Sequence, residues 1–333
     1  MIRRNVIKAL AIGGLHITIQ NPLWNLFKNV YKMSKTDFDV IIIGGSYAGL
    51  SAAMALGRSL KQTLVIDAGK PCNAQTSHAH NFLSQDGSKP GEILKIGKEQ
   101  LAAYNSVTHH NGFVVNAKKN KAIFSVTTDN ENVFTAKKII IATGIKDLLP
   151  NIQGFSSCWG ISVIHCPYCH GYEYKNKKTA IIANGERAFH LASLVNNLTN
   201  NSTIITMGKN NFSDEELTKL KQHNIKINEK EIETIVHTNG QLEKIEFKDG
   251  SSENYDCAYA DVPFKQSTNI ADQLGCKLTE NGHIEVNPMQ KTTVDGVYAC
   301  GDNSSRLRAL SSAVYTGNLG GAMLNNELTQ ENF

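Results

Sequence analysis

Proline and tryptophan are scarce in this chain of 333 residues, which has 7 prolines and 2 tryptophans. It also lacks any long block of like charge, and the net charge of +4 gives no reason to expect a nucleic-acid partner. An apolar stretch near the N-terminus is interrupted by His16 and is too short to span a membrane. The 26 glycines and the apolar fraction of 41% are typical of an α/β protein with glycine-rich turns. The length suits two domains.

The cysteines do not form a recognisable disulfide framework. There are seven, an odd number, and five of them are widely scattered. This distribution does not match a secreted domain, so we expect the protein to be cytoplasmic. Only Cys166 and Cys169 lie close together in the sequence, and such closeness more often serves chemistry than scaffolding.

Residues 1–36 share a basic start and a short apolar stretch with signal peptides, but no cleavage site of the A-x-A type follows. Met33 then opens the sequence MSKTDFDVIIIGG, which is how a cytosolic dinucleotide-binding enzyme usually begins. We therefore expect residues 1–36 to be an extension without a functional role, either flexible or produced by an upstream misread start.

Two parts of the chain each predict a strand, a helix and a second strand. In the first part, a buried strand at 39–43 ends in glycines, and an alanine-rich helix at 50–60 leads to a buried strand at 63–66. The second part repeats this pattern with a strand at 179–182, a helix at 187–198 and a strand at 203–206. Each unit has the length of a Rossmann βαβ motif.

Other segments complete the predicted fold. We expect antiparallel strands at 112–115, 122–127 and 132–134, a separate buried strand at 138–142, a strand pair within 232–247, and a last helix at about 309–324. His78, His80, His109 and His110 are interpreted as loop histidines. The predicted fold class is α/β, with two Rossmann-like, three-layer (ββα/βαβ) nucleotide-binding domains. The outer domain takes residues 37–148 and 263–333, and the second domain, residues 149–262, is inserted into it.

The turn at residues 44–49 resembles a dinucleotide-binding fingerprint. Gly44 makes the tight turn, Ser46 replaces the second glycine, and Gly49 lets the helix pack on the sheet. A diphosphate is expected at this helix N-terminus, near Ala48, because unpaired N–H groups and the helix dipole favour an anion. Asp67, which lies 23 positions after Gly44, is expected to accept hydrogen bonds from ribose hydroxyls.

Cys166-Pro167-Tyr168-Cys169 is the strongest local signal, because two thiols separated by two residues can close a small disulfide and exchange it with a substrate. Three alternatives remain open: a zinc site, a glutaredoxin-type motif and chance structural cysteines. No second C-x-x-C is present to complete a zinc site, so we expect no metal. His170 follows the pair and is a candidate to move a proton, although a surface histidine is equally compatible with its position.

Near the C-terminus, Gly301 and Asp302 follow a buried strand, where a carboxylate could accept hydrogen bonds from a flavin's ribityl chain. Together with the glycine turn, Ala142-Thr143-Gly144 and the C-x-x-C, these residues resemble the low-molecular-weight thioredoxin reductase family over residues 38–326. The resemblance implies an FAD domain built from both ends of the chain, an inserted nicotinamide-nucleotide domain that carries the redox pair, and a homodimer.

The resemblance also implies roles for single residues. It places Cys169 against the flavin and makes Cys166 the outer thiol that meets the substrate, which is a thioredoxin-like protein or a small dithiol or disulfide. It matches Asn81 to an asparagine that contacts the flavin ring, and Arg308 to the start of the last helix. Where those reductases have an acidic aspartate after the second cysteine, this chain has His170.

That difference makes the string Cys-Pro-Tyr-Cys-His-Gly-Tyr-Glu similar to the dithiol oxidases of the same superfamily, which pass electrons to oxygen. The second nucleotide unit also departs from the reductase pattern. Asn184, Gly185 and Glu186 stand in a glycine run that has lost its first glycine, and Lys209 stands where an arginine pair would clamp the 2′-phosphate of NADPH. NADPH use therefore stays open.

The leading hypothesis from the sequence is an FAD-dependent, thioredoxin-reductase-like enzyme that passes two electrons between flavin and a substrate through Cys166 and Cys169. An oxygen-dependent dithiol oxidase that forms disulfides without NADPH is the first alternative. A flavin-bearing redox sensor or partner-binding protein is an alternative from a different class.

Overall fold

The computed structural model describes residues 37–333, and the predicted extension at residues 1–36 lies outside the described residues. The first three elements are the predicted strand, helix and strand, whereas the helix and the edge strand that follow them were not predicted. Strand β1 (Phe38–Ile43) leads through helix α1 (Tyr47–Arg58) to β2 (Thr63–Asp67), and helix α2 (Pro90–Leu101) leads to β3 (Val107–Asn111). Three further strands follow: β4 (Val114–Asn120), β5 (Ile123–Thr128) and β6 (Val133–Ile141).

The chain then forms a second group of elements. These are β7 (Ile145–Asp147), α3 (Phe155–Cys158), β8 (Val163–Ile164), α4 (Pro167–His170), β9 (Thr179–Ile182), α5 (Gly185–Val195), β10 (Ser202–Ile205), α6 (Asp214–Gln222), β11 (Lys226–Asn228), β12 (Ile232–Thr238), β13 (Gln241–Phe247), β14 (Ser252–Asn254) and β15 (Cys257–Ala260). The last elements are β16 (Phe264–Gln266), α7 (Ile270–Gln273), β17 (Val297–Ala299) and α8 (Leu310–Asn332).

The strands of residues 37–333 assemble into two large sheets and two small ones. The seven-stranded sheet has the order β3-β2-β1-β6-β5-β4, with β17 paired to β6, and the five-stranded sheet has the order β11-β10-β9-β15-β8. The small sheets are β12-β13-β14 and the antiparallel pair β16-β7. Leu148 N–H donates to the Pro263 carbonyl oxygen at 2.8 Å beside this pair, where the chain passes between the two large sheets. Residues 149–262 remain our proposed inserted domain, which lies between the two parts of the outer domain in the sequence.

Strand β1 is apolar along its length because both of its faces are covered. Val40 and Ile42 pack with α1 and α8 on one face, and Ile41 and Ile43 pack with residues of β4, β5 and α7 on the other. The five-stranded sheet also has a buried cluster on each face. A continuous apolar run is therefore what a buried parallel strand requires.

Three local predictions were wrong. Residues 132–134 and 138–142 were expected to be separate strands, but β6 is continuous, since its first half pairs antiparallel with β5 and its second half parallel with β1 and β17. His109 and His110 lie on strand β3 and not in a loop, because β3 is an edge strand that tolerates polar side chains. The last helix extends to Asn332, since no glycine or proline follows Gly321 to end it.

Helices α1 and α8 approach closely because two glycines of α8 face the backbone of α1. A Cβ atom on Gly317 would lie 2.1 Å from the Ala48 carbonyl oxygen, and one on Gly321 would lie 2.6 Å from the Ala52 carbonyl oxygen. Gly320, one position before Gly321, has ordinary space, with its nearest neighbour 3.4 Å away. Two of these three glycines are thus required by helix packing.

Gly317→Ala should lower the free energy of unfolding by about 1–3 kcal/mol, because the new methyl group meets a backbone oxygen that cannot rotate away. Gly320→Ala is the matched control in the same helix and should be neutral or stabilising by up to about 1 kcal/mol, since alanine favours the helix. Urea unfolding of both variants checks this prediction. Equal effects of the two substitutions would contradict the proposed close contact.

Candidate active site

A cavity of about 1050 Å³ opens at the carboxyl ends of β1 and β6. Strand order reverses between these two strands, since β2 lies on one side of β1 and β6 on the other. Ligands of open α/β sheets bind in the crevice at such a switch point. The fold therefore places the cavity where a cofactor is expected.

The glycine turn at 44–49 forms one wall of the cavity. Gly44 has a φ of +107°, and a Cβ atom there would lie 2.2 Å from the Ala142 carbonyl oxygen. A Cβ atom on Gly49 would lie 1.8 Å from the Gly44 carbonyl oxygen. Ser46, the N-cap residue of α1, makes no side-chain cap hydrogen bond. The first backbone N–H groups of α1 thus remain available to an anion in the cavity.

Gly45 was not assigned a role from the sequence, yet it is sterically required. A Cβ atom on Gly45 would lie 2.6 Å from the Asp67 Cβ. The Gly45 N–H donates to Asp67 Oδ1 at 3.3 Å, and Lys98 Nζ lies 3.2 Å from Asp67 Oδ2. These contacts hold the Asp67 carboxylate at the edge of the cavity.

Most predicted binding residues line the cavity: Gly44, Ser46, Ala48, Asp67, Asn81, Ala142, Thr143, Gly144, Gly301, Asp302 and Arg308. Gly49 lies behind the turn and serves the packing of α1 on β1. Asn81 has a φ of +59°, and its N–H donates to Asp86 Oδ1 at 2.7 Å. Asn184, Gly185, Glu186 and Lys209 lie away from this cavity, at the carboxyl end of the five-stranded sheet.

Asp147 connects the cavity to the segment that carries the cysteines. Its carboxylate accepts two hydrogen bonds from the Arg308 guanidinium, at 2.9 Å and 3.1 Å, and a third from Trp159 Nε1 at 3.1 Å. The Arg308 and Asp147 side chains are only 18% and 11% exposed. Arg308 lies two residues before α8, and Asp302 Oδ2 lies 4.0 Å from its Nε atom. The Asp147 carboxylate therefore joins Trp159, in the segment that leads to Cys166, to Arg308 at the cavity wall.

Cys166 is the N-cap residue of the short helix α4 and Cys169 is its third residue, and both are free thiols. Cys169 lines the cavity, and Cys166 does not. A hydrogen bond from the Cys169 thiol, with smaller contributions from nearby backbone N–H groups and Arg308, lowers the pKa of Cys166 to about 7. The same hydrogen bond and burial raise the pKa of Cys169. The pair thus shares one proton, with the thiolate on Cys166.

His170 lines the cavity next to Cys169. Burial and the neighbouring His80 lower the pKa of His170, so its imidazole is neutral near pH 7. The His80 ring stands edge-on to the His170 ring at 6.2 Å, and His80 Nε2 lies 3.6 Å from Glu173 Oε1. A neutral imidazole beside a thiol pair is able to accept a proton.

Several residues at the cavity were missed in the sequence analysis. Cys72 is an exposed residue that lines the cavity, and desolvation by the surrounding protein together with the nearby Asp302 carboxylate raises its pKa to about 11. His165 and Asp147 also line the cavity, and burial lowers the pKa of His165 to about 4. The only sequence signal for Asp147 is its position soon after Ala142-Thr143-Gly144, at the carboxyl end of a buried strand. Among residues 37–333, no group of three or more His, Cys, Asp or Glu side chains is arranged to hold a metal ion.

The second nucleotide unit has a different geometry at its helix N-terminus. Asn184, the N-cap residue of α5, accepts hydrogen bonds through Oδ1 from Gly185 N–H at 2.8 Å and from Asn211 N–H at 2.9 Å. Its Nδ2 atom donates to the Lys209 carbonyl oxygen at 3.0 Å. The Asn184 side chain therefore ties the segment after β10 to the N-terminus of α5.

Comparisons with known proteins agree with the fold. A family model described as pyridine nucleotide-disulphide oxidoreductase matches residues 38–317. The chain is 31% identical to a thioredoxin reductase, tcpT, of Claviceps purpurea over 305 residues, which are 87% of this chain and 94% of the relative. A second relative, the thioredoxin reductase sirT of Leptosphaeria maculans, is also 31% identical and covers 86% of this chain and 93% of its own length.

Solved structures of related oxidoreductases also match this chain in fold. A putative thioredoxin reductase TrxB from Bacillus anthracis matches with a TM-score of 0.85 and 30% identity, over 89% of this chain and 100% of its own. An oxidoreductase from Agrobacterium tumefaciens matches with a TM-score of 0.83 and 34% identity, over 88% of this chain and 99% of its own. The predicted α/β class with two Rossmann-like units is confirmed, and the chain belongs to the pyridine nucleotide-disulphide oxidoreductase family as a thioredoxin-reductase-like disulfide oxidoreductase.

Proposed function

We propose that this enzyme binds FAD in the large cavity and exchanges two electrons with a substrate dithiol or disulfide through Cys166 and Cys169. The observation that carries this proposal is the position of the cysteine pair. Cys169 lines the cavity beside the glycine turn, and the Cys166 sulfur, which has the lower pKa, lies outside the cavity lining. One thiol thus faces the cofactor site and the other is available to a substrate.

The residues around the cavity fit a flavin dinucleotide. The first turn of α1 offers backbone N–H groups to a diphosphate, and Asp67 and Asp302 offer carboxylate oxygens to hydroxyl groups. Two buried polar atoms of lining residues, Arg308 Nε and His165 Nε2, have no hydrogen-bond partner within the described chain. Buried polar atoms normally have partners, so these two favour a polar ligand beside them.

When bound, FAD would supply a two-electron acceptor or donor to the cavity that Cys169 lines. The chain itself performs the thiol exchange. The Cys166 thiolate attacks a substrate disulfide, a mixed disulfide forms, and one substrate sulfur leaves with a proton. Cys169 then loses its proton, attacks the Cys166 sulfur, and releases the second substrate thiol. Dithiol oxidation follows the same steps in reverse.

His170 is proposed to move the proton of this exchange. Its pKa is lowered, so it can accept a proton from a thiol near neutral pH and return it to a leaving sulfur. We further propose a homodimer in the cytoplasm, with a thioredoxin-like protein or a small dithiol or disulfide as the substrate. The names of the relatives favour the first of these substrates. No helix within residues 37–333 has the length and apolar composition needed to cross a membrane.

Cys169→Ser should leave the protein yellow with bound FAD and abolish sustained thiol turnover, because Cys169 is the thiol at the cavity. Cys276→Ala is the control, since Cys276 is a buried thiol of the outer sheet's apolar core that does not line the cavity and whose Sγ donates to Thr292 Oγ1 at 3.6 Å. Absorbance spectra and a dithiol-consumption assay measure the two properties. Unchanged turnover in Cys169→Ser, or loss of flavin from it, would contradict the assigned role.

Alkylation of Cys166 in the reduced protein should rise with pH around a midpoint of about 7, because only the thiolate reacts and the pKa of Cys166 is lowered to about 7. Cys169→Ala removes the thiol that donates to Cys166, so the midpoint should move up by about one pH unit or more. Iodoacetamide labelling followed by peptide mass spectrometry measures each cysteine separately.

Cys72 serves as the internal control of that experiment. Its pKa is raised to about 11, so it should react only at much higher pH in both proteins. A Cys166 midpoint that is the same in wild type and Cys169→Ala would show that the pair does not share a proton.

A further inference from the structure

One buried hydroxyl group lies next to the segment that carries the cysteines and has no hydrogen-bond partner. Tyr259, on strand β15, is only 1% exposed, and its Oη atom makes no hydrogen bond within the described residues. A buried hydroxyl without a partner destabilises the folded state, so native proteins keep few of them. The Tyr259 hydroxyl therefore calls for a functional explanation.

This hydroxyl lies beneath helix α4. Tyr259 pairs in the five-stranded sheet with Ile164, two residues before Cys166, and the Tyr259 and Ile164 side chains share one apolar cluster. A Cβ atom on Gly171, the C-cap residue of α4, would lie 3.0 Å from Tyr259 Oη and 2.3 Å from the Pro167 carbonyl oxygen. The hydroxyl is thus at the base of the four-residue helix whose N-cap residue is Cys166.

The groups around the hydroxyl favour the Cys166 sulfur as its acceptor. Burial raises the pKa of Tyr259, and four nearby titratable groups raise it further: Cys257, Cys166, Glu173 and Tyr174. The phenol therefore stays protonated and is able to donate. Cys257 and Tyr174 already have hydrogen-bond partners, and the Glu173 carboxylate is 39% exposed to solvent. Cys166 is the remaining group, and it carries the thiolate of the pair.

The Cys166 sulfur already has one donor in this structure, in which both thiols are free. That donor is the Cys169 thiol, which lines the cavity, whereas Cys166 and Tyr259 do not. Rotation between staggered rotamers moves a cysteine sulfur by about 3 Å. None of the four residues of α4 is buried, so no apolar core holds the helix in one position over the hydroxyl.

We propose that the Tyr259 hydroxyl is a second hydrogen-bond donor to the Cys166 sulfur, used in the steps in which Cys169 cannot donate, a role that rests on the proposed thiol exchange. In one such step, the disulfide bond between Cys166 and a substrate sulfur breaks, its electron pair goes to the Cys166 sulfur, and the two substrate sulfurs join. Cys169 is then a thiolate and has no proton to donate. The hydroxyl keeps its own proton, and its hydrogen bond stabilises the departing thiolate.

Tyr259→Phe tests this, because it keeps the ring and removes only the hydroxyl. In the otherwise wild-type reduced protein, the midpoint of Cys166 alkylation should move by less than about 0.3 pH unit, since Cys169 still donates. In Cys169→Ala, adding Tyr259→Phe should raise the midpoint by about 0.7 pH unit or more, because the last donor is lost. Arg308, the charged group beside Cys166, is the same in all four proteins. Equal shifts in the two backgrounds, or no shift in Cys169→Ala, would overturn the inference.

Tyr255→Phe is the matched control, since Tyr255 is also buried and its hydroxyl donates to Glu253 Oε2 at 2.8 Å. It should lower the urea midpoint of unfolding and leave Cys166 alkylation in Cys169→Ala unchanged. Tyr259→Phe should leave the urea midpoint unchanged or raise it, because it removes an unpaired buried hydroxyl. A lower urea midpoint for Tyr259→Phe would show a structural partner and would also overturn the inference.

The alkylation measurement needs neither flavin nor turnover, so it is separate from the tests of the proposed function. A wild-type protein that binds no flavin or consumes no dithiol would contradict the proposed function. The shift expected for Tyr259→Phe in Cys169→Ala depends only on the hydrogen bond to Cys166.

Discussion

The hydrogen-bonded ion pair between Asp147 and Arg308 is the interaction on which the site depends. The partners are 161 positions apart in the chain, and Asp147 also accepts a hydrogen bond from Trp159, which belongs to the segment that leads to Cys166. Both charges are largely buried, so loss of either partner would leave the other uncompensated. Thr76 Oγ1, which donates to the Gly160 carbonyl oxygen at 3.1 Å, adds a second link to the same segment. These contacts keep the thiols at the cavity.

The environment of the cavity then determines the chemistry of the thiols. Burial alone raises the pKa of a thiol, as it does for Cys300. At Cys166, a hydrogen bond from Cys169 outweighs burial, and the pKa falls. The same burial keeps His170 neutral, so a thiolate and a proton acceptor coexist near pH 7. Neighbouring groups, and not the identity of the residue, decide which sulfur is nucleophilic.

The two βαβ units differ in structure at their helix N-termini. In the outer unit, glycines bring backbone against backbone and leave the first turn of α1 open. In the inserted unit, the Asn184 side chain accepts hydrogen bonds from Gly185 and Asn211 and ties down the loop after β10. The inserted unit nevertheless keeps a well-packed core on both faces of its sheet. The segment that carries the cysteines lies between its strands β8 and β9.

The sequence by itself determined the α/β class, the two βαβ units, the glycine turn and the C-x-x-C pair, because these depend on local signals: apolar runs, glycine positions and the spacing of two cysteines. Only the tertiary structure decided that β6 pairs differently along its two halves, since strand pairing depends on partners that are distant in sequence. The same holds for Asp147, whose partner lies 161 positions away, and for Asn184, whose side chain acts through a loop about 25 positions further on. A side chain's neighbours are set by the packing of the whole chain, and no local pattern encodes them.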